Sequence, residues 1–358
     1  MTGRDFKQIV SITGAFIAFM IGSGFATGQE ILQYYAGYGF MGICGIGVCL
    51  ILLIYAATAF TRAGYREQFA RPNGIYEYYF GKKLGLIFDY FTVISIYLCY
   101  VVMLAGAGAA IKQHLGLPVT VGGILIGVLS CVTVMFGLQK MVDVISKIGP
   151  LIIVLVVSLA VITIVQGDVS RLGEINAEIQ TNDTLLRASN NWFMSACSYL
   201  GISITWLATF MTALGKDAYS LKNATIGSIA GVVAFLGSMV LMVIAFMLNI
   251  DSLANTEIPT LILADKVSPV LGSIFAFVVV VGIYTTAVPL LWTTASRFAE
   301  DRTKKFTILT IILAAAGMVV GMLIPFSKLV NVVYVLIGDF GFVLIAFILL
   351  KHIRTKQW

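Results

Sequence analysis

The sequence predicts an all-helical protein that crosses a membrane many times. Hydrophobic residues make up 59% of its 358 residues and charged residues only 11%, a balance that a soluble domain of this length does not need to fill its core. Apolar stretches long enough to span the hydrocarbon layer, which takes roughly 20 residues, recur along the whole chain. We therefore expect a multi-pass protein of the cell (inner or plasma) membrane, with the lipid bilayer as its surroundings.

Ten apolar stretches are predicted to form transmembrane helices, called segments 1 to 10 below. They cover residues 7–36, 39–61, 84–111, 119–138, 143–166, 191–214, 223–249, 270–297, 306–324 and 328–350. An even number of segments places both termini on one side. With the termini in the cytoplasm, eighteen of the 23 Lys and Arg residues fall in or beside cytoplasmic parts of the chain, as the positive-inside rule requires. We therefore predict cytoplasmic termini, and the positive net charge reflects this topology rather than nucleic-acid binding.

Segments 1 and 6 each contain a polar, glycine-containing run at bilayer depth. The runs are Gly22-Ser23-Gly24-Phe25-Ala26-Thr27-Gly28-Gln29-Glu30 and Ser198-Tyr199-Leu200-Gly201-Ile202-Ser203. Non-helical backbone is tolerated at this depth only where protein or a water-filled cavity satisfies its polar groups. We therefore predict that helices 1 and 6 are broken and that both breaks face an internal site. The alternative is that the small residues only let helices pack closely.

The positions of the two runs predict an inverted repeat. Segment 6 opens the second half of the chain as segment 1 opens the first. Because each half has an odd number of segments, the second half enters from the opposite face and the two runs meet near the midplane, as in inverted-repeat transporters. We predict a first repeat over 1–166, an extracellular loop over 167–190, a second repeat over 191–350 and a cytoplasmic tail over 351–358.

The predicted solute site combines the two runs with tyrosines in the middle of segment 3. Amide groups that begin a half-helix after a break suit a carboxylate, and a tyrosine ring offers a π face to an ammonium group. These groups favour a small solute with an amine or a carboxylate. The candidate residues are Gly22, Ser23, Gly24, Phe25, Ala26, Thr27, Glu30, Tyr97, Tyr100, Ser198, Tyr199, Gly201 and Ser203.

Glu30 is the sharpest single candidate. A charged side chain at the centre of a membrane helix costs about 2.5–3.5 kcal/mol on insertion scales, so we expect it to face a cavity and to have a partner. Three roles stay open: it neutralises an ammonium substrate, it carries a coupling proton, or it braces the broken helix by accepting N–H bonds. Asp339 in segment 10 and Asp89 in segment 3 raise the same question.

A sodium site is predicted between segments 1 and 8. The carbonyl groups of Ala18 and Ile21 lie at the end of the half-helix before the break. Thr285 and Thr286 offer hydroxyl groups beside Gly282. Oxygen ligands are what a hard cation requires. The alternative is that the two threonines bond back to their own helix.

Patterns of catalytic chemistry are missing from the sequence. It has no nucleophile paired with a base, no cluster of metal ligands and no phosphate-binding loop. The two histidines, His114 and His352, lie far apart and near predicted helix ends, so they do not form a metal site. We predict neither enzymatic activity nor a cofactor, and no metal other than sodium as a coupling ion.

The run in segment 1 resembles the first-helix signature of the YkvI-type bacterial membrane proteins, which look like the amino acid–polyamine–cation superfamily with the LeuT fold. This resemblance covers nearly the whole chain. The chain is also similar to the neurotransmitter:sodium symporters at four separate places, which are Ser198-Tyr199-Leu200-Gly201, Lys147-Ile148-Gly149-Pro150, Thr285-Thr286 and Glu300-Asp301.

The resemblance implies a LeuT-like 5+5 inverted repeat in which Asp301 pairs with Arg4 as an inner gate. It also implies the sodium-binding role of the hydroxyl pair in segment 8. The chain departs from the symporters at Phe25, where they carry an asparagine for a first sodium ion, and at Glu30, where they have no acid.

The resulting hypothesis is a secondary active transporter, a symporter that moves a small amino acid or amine by alternating access with sodium as the favoured coupling ion. One alternative is coupling to protons through Glu30. The other is a non-transporting membrane receptor that uses the same pocket to sense a small metabolite.

Overall fold

The computed structural model describes residues 3–20, 23–136, 149–254, 256–300 and 303–355. Every regular element in these ranges is helical, so the predicted all-α class is confirmed. The α-helices are α1 (Gly3–Met20), α2 (Ser23–Thr27), α3 (Gln29–Tyr34), α4 (Phe40–Glu67), α5 (Gly74–Leu115), α6 (Val119–Met135), α7 (Gly149–Gln166), α8 (Leu172–Thr181), α9 (Trp192–Lys216), α10 (Leu221–Met247), α11 (Ile250–Leu253), α12 (Pro259–Val267), α13 (Pro269–Ser296), α14 (Lys304–Leu323), α15 (Phe326–Leu329) and α16 (Val335–Thr355). A π-helical turn, Val330–Tyr334, joins α15 to α16.

Each of the ten predicted segments coincides with helix where it is described, although not all of these helices are simple spans. In the described ranges, seven helices are long and apolar enough to cross a membrane, and an eighth is counted if α7 and the helix bent from it by 87° form one span. The two segments that fall short of the test are segment 1, which is interrupted, and segment 4, whose helix has only 17 residues.

Segment 1 is broken, as predicted. The interruption lies at Gly28, between α2 and α3, where the φ of 80° is left-handed. A Cβ atom at Gly28 would lie 2.5 Å from the Phe246 ring and 2.9 Å from the Thr260 methyl group. Only glycine combines this backbone conformation with this close approach.

Segment 6 is not broken, and this part of the prediction is wrong. Helix α9 runs continuously through the run 198–203. The hydroxyl of Ser203 donates to the Tyr199 carbonyl of its own helix at 2.9 Å. A Cβ at Gly201 would overlap the Gly338 carbonyl oxygen, so the glycine marks the crossing of α9 and α16. The alternative of close packing through small residues applies here.

Eight of the long helices form two groups. Helices α1, α4, α9 and α10 pack on one another, and α5, α6, α13 and α14 form the second group. The first group contains segments 1, 2, 6 and 7, and the second contains segments 3, 4, 8 and 9. Each group therefore combines two segments of the first predicted repeat with the two segments at the same positions of the second. The short α2 contacts α13 and the short α3 contacts α9 and α10, which places the break in segment 1 between the groups.

Candidate functional site

The centre of the candidate site is the carboxylate of Glu30, in the first turn of α3. Only 6% of this residue is exposed. A Cβ at Gly24 would overlap Oε1 of Glu30, so the carboxylate folds back from α3 onto the backbone of α2. The glycine at position 24 therefore makes the space in which the carboxylate lies.

Three buried tyrosines surround this carboxylate, and we call Tyr34, Tyr199 and Tyr334 the tyrosine cage. The phenols of Tyr199 and Tyr334 lie beside the Glu30 side chain, close enough to interact with its carboxylate. The ring of Tyr34 packs edge-on against that of Tyr199, with centroids 5.5 Å apart. The cage thus joins α3, α9 and the π-helical turn before α16, and such turns often occur at functional sites.

No basic side chain pairs with Glu30 in the part of the chain that the structure describes. The ion pairs found there join Arg171 to Glu174 and Arg297 to Asp89. A buried carboxylate with only phenol partners keeps much of its attraction for a cation or a proton. The site is therefore electrostatically prepared for a positively charged group.

Several polar groups at or near the cage have no hydrogen-bond partner within the described ranges. They include the hydroxyl of Tyr34, Oε1 of Gln29, the indole N–H of Trp206 and the hydroxyl of Ser95, all buried. The Trp206 ring lies edge-on to Tyr334 at 5.6 Å. Ser95 lies one turn before Cys99 on the same face of α5, and Cys99 is close enough to Glu30 to feel its charge. Buried polar groups are rarely left unpaired, so these groups are available to a ligand.

The other residues of the run in segment 1 shape the break. Phe25 is buried against Phe235 of α10, with ring centroids 5.6 Å apart. Thr27 donates its hydroxyl to the Gly24 carbonyl at 3.0 Å. The Ala26 carbonyl accepts a hydrogen bond of 2.6 Å from Thr260 Oγ1. These contacts hold the interrupted backbone in place. Gly22 lies outside the described residues, and Ser23 is described only as the first residue of α2.

Tyr97 and Tyr100 face away from Glu30. The Tyr97 hydroxyl donates to the Leu313 carbonyl of α14 at 3.1 Å. The Tyr100 hydroxyl bonds to Ser130 of α6 at 3.0 Å. Both tyrosines therefore lie inside the second helix group, whereas Cys99, on another face of α5, lies towards the cage. Sequence reasoning missed Tyr34, Cys99 and Tyr334. A signal was available only for Tyr34, which lies four residues, or about one helical turn, after Glu30.

In the second run, only Tyr199 reaches Glu30 directly. Ser198 Oγ lies 3.5 Å from the Val335 carbonyl of α16. Gly201 and Ser203 serve the packing and the internal bonding of α9, as described above.

The predicted hydroxyl pair of segment 8 lies beside the broken helix. A Cβ at Gly282 would be 3.8 Å from that of Ala26 in α2. Thr285 and Thr286 both donate to the Gly282 carbonyl, at 2.9 and 3.0 Å, as the alternative reading expected. A hydroxyl that donates in this way still has lone pairs for a cation. Of the predicted carbonyl ligands, Ala18 lies in α1, and Ile21 is outside the described residues.

The predicted inner gate is described on one side only. The Arg4 guanidinium lies over the Tyr219 ring, 4.4 Å from its centroid. Asp5 accepts hydrogen bonds from Asn223 at 2.6 Å and from Tyr219 at 3.0 Å. The start of α1 is thus attached to the start of α10. Asp301 lies outside the described residues, as do Lys147 and Ile148 of the symporter-like run in segment 5.

The two other acids of interest differ in their distance from the cage. Asp89 pairs with Arg297 at 2.5 Å, which links α5 to the end of α13. Asp339 is exposed on α16, yet it lies close enough to Tyr34 of the cage for the two groups to interact electrostatically.

A network of hydrogen bonds lies beyond α3. Gln33 donates to the Ser327 carbonyl at 3.0 Å and accepts from Asn331 at 3.1 Å. Asn331 also donates to the Arg187 carbonyl at 2.9 Å. The Ser327 amide donates to Glu257 at 2.7 Å. In the predicted orientation this network lies on the extracellular side.

Sequence comparisons find relatives but no matching family model. The chain is 26% identical over 345 residues to the uncharacterized protein YyaD of Bacillus subtilis (strain 168), which covers 94% of this chain and 95% of that protein. It is 24% identical over 252 residues to the uncharacterized membrane protein YkvI of the same organism, covering 70% of this chain and 67% of YkvI.

Solved structures of similar fold cover almost the whole chain. The inward-facing conformation of Mhp1 gives a TM-score of 0.59 at 15% identity, over 93% of this chain and 73% of that one. A mutant of the manganese transporter of Eremococcus coleocola gives 0.60 at 13% identity, over 96% and 77%. MhsT in complex with L-phenylalanine gives 0.59 at 15% identity, over 94% and 88%. The chain is therefore a multi-pass membrane protein with the LeuT fold that resembles YkvI, as the run in segment 1 indicated.

Proposed function

We propose that the chain is a secondary transporter of a small amine or amino acid, and that the ammonium group of the solute binds Glu30 inside the tyrosine cage. The observation that carries this proposal is the burial of Glu30 with phenols as its partners, at a broken helix between two helix groups. A carboxylate in such surroundings is stabilised by a cation. The faces of aromatic rings add further attraction for an ammonium group.

The fold supports transport as the use of this site. The site lies between two separately packed groups of helices, and a relative movement of the groups exposes it to one side of the membrane and then to the other. The similar structures include MhsT with L-phenylalanine bound and a manganese transporter. In our proposal the chain lies in the cell membrane with both termini in the cytoplasm.

Sodium is the coupling ion in this proposal. Its ligands are the carbonyls of Ala18 and Ile21 together with the hydroxyls of Thr285 and Thr286. The contact of Gly282 with Ala26 supports this arrangement, because it brings the hydroxyl pair next to the broken helix. The burial of Glu30 favours a second candidate, in which a proton on this carboxylate replaces sodium.

Uptake into proteoliposomes tests the proposal. Labelled amines and amino acids are offered under an imposed sodium gradient, a pH gradient or neither. We expect accumulation only with a gradient, and the gradient that works identifies the ion. Glu30→Gln should lower uptake by about 100-fold, because loss of one member of a buried charge pair costs about 2–5 kcal/mol or more.

Glu178→Gln is the matched control, since Glu178 is exposed on α8. Uptake that persists in Glu30→Gln, or equilibration of solute without any gradient, would contradict the proposal. Binding of the solute without flux would identify the chain as a receptor.

A further inference from the structure

A separate, partly open pocket lies at the other end of the helices, between the end of α4, the start of α5 and the end of α16. It has a volume of about 60 Å³, whereas one water molecule occupies about 10–15 Å³ of such space. Its lining includes Tyr55, Arg62, Arg66, Tyr79 and His352, and none of the residues around Glu30. In the predicted orientation this end faces the cytoplasm. We call this space the basic pocket.

The charges of the basic pocket are mostly positive. Arg62 and Arg66 lie one turn apart on α4, and neither makes an ion pair within the described ranges. Glu67 is the single acid of the lining. Like charges four residues apart on a helix repel each other, so an anion bound between the two guanidinium groups would lower the energy of the folded protein.

The depth of the pocket offers hydroxyl and aromatic groups. Tyr79 is only 6% exposed, and its hydroxyl has no hydrogen-bond partner within the described part of the chain. The Tyr55 hydroxyl bonds to His352 Nδ1 at 2.6 Å. The lining thus passes from an exposed arginine, Arg66, through the half-buried Arg62 to the buried phenol of Tyr79. A small anion that enters the pocket therefore contacts the guanidinium groups first and the Tyr79 hydroxyl at the deepest point.

We propose that the basic pocket binds an anionic phosphate group, one whose negative charge is not balanced by a cation within the same headgroup. Guanidinium groups bind phosphate oxygens with strong, often bidentate hydrogen bonds, and the cavity has room for one group of this size. The phosphate belongs either to the headgroup of an anionic phospholipid or to a free phosphate ion. Basic pockets between helices on the cytoplasmic side are suited to anionic lipid headgroups. This site is independent of the transport proposal.

Thermal unfolding of the purified full-length protein in detergent tests the proposal. The protein is titrated with dioctanoyl phosphatidylglycerol, dioctanoyl phosphatidylcholine or inorganic phosphate, and the apparent affinity is taken from the rise in Tm, since a ligand of the folded state stabilises it. We expect a rise with phosphatidylglycerol and none with phosphatidylcholine. Arg66→Gln and Arg62→Gln should each weaken the apparent affinity about fivefold, and Tyr79→Phe by a similar factor.

The matched controls are Lys82→Gln and Lys83→Gln, which remove exposed charges near the start of α5 outside the pocket. If Arg62→Gln does not fold, Arg62→Lys and the exposed Arg66 keep the test decisive.

A rise with phosphatidylglycerol alone supports a lipid headgroup, and an equal rise with inorganic phosphate supports a free anion. The proposal is overturned if neither raises Tm, if phosphatidylcholine acts equally well, or if the lysine controls weaken binding as much as the arginine variants do.

Discussion

Segments 1 and 6 contain similar polar, glycine-containing runs, yet only segment 1 is interrupted. At Gly28 the backbone is left-handed, and the neighbouring Ala26 carbonyl accepts a hydrogen bond from Thr260 in α12. At Gly201 the backbone stays helical, and the missing side chain lets α9 touch α16. A glycine at bilayer depth thus has two different uses. The difference lies in whether other parts of the chain satisfy the freed backbone groups.

The largest expected effect is that of Gly28→Ala. An alanine there must hold a left-handed conformation, which costs about 1–2 kcal/mol, and its Cβ would press on the Phe246 ring, which adds about 1–3 kcal/mol of overpacking. We expect a large drop in Tm together with loss of uptake. Gly14→Ala is the control, since nothing lies within 4 Å of a Cβ there. An unchanged Tm in Gly28→Ala would show that the break does not require glycine at this position.

The matching substitution in segment 6, Gly201→Ala, should destabilise by about 1–3 kcal/mol through overpacking alone. Its Cβ would overlap the Gly338 carbonyl oxygen, so α9 and α16 must separate. Thermal unfolding measures this loss, with Gly237→Ala in α10 as the control because its Cβ would meet nothing within 4 Å. A variant as stable as the control would mean that the crossing is looser than the structure indicates.

Gly24→Ala tests whether the glycines of segment 1 also make room for the solute site. Its Cβ would occupy the place of the Glu30 carboxylate, which is the mobile end of a side chain. We expect solute binding to weaken about tenfold, the effect of one charge-assisted hydrogen bond, with little change in Tm. Binding assays on reconstituted protein measure it, again against Gly14→Ala. Full affinity in this variant would place the solute away from Glu30.

The smallest expected loss of stability comes from removing the threonine hydroxyls that donate hydrogen bonds to backbone carbonyls in segments 1 and 6. Thr260→Val leaves the Ala26 carbonyl without its donor and should cost about 1 kcal/mol or somewhat more. Thr205→Val, which removes a bond of 2.8 Å back to the Gly201 carbonyl of its own helix, should cost less because that carbonyl belongs to a continuous helix. Equal losses of Tm would contradict the distinction between the segments.

The candidate site was predictable in part. Glu30 stands out in the sequence because a carboxylate at bilayer depth is costly, and Tyr199 follows from the second run. Tyr334 and Cys99 did not follow, because their relation to Glu30 depends on how distant segments rotate against each other. Tyr97 and Tyr100 were chosen for their depth, yet depth does not say which face of α5 meets the break.

The sequence by itself determined that the chain is a multi-pass helical membrane protein, where most of its long helices lie, and that segment 1 is interrupted. These features depend on apolar length, composition and local glycine content, all of which can be read along the chain. Only the tertiary structure decided that segment 6 stays helical and that three tyrosines from separate elements enclose Glu30. The physical reason is that close packing and the satisfaction of buried polar groups depend on residues far apart in sequence, such as Gly201 and Gly338.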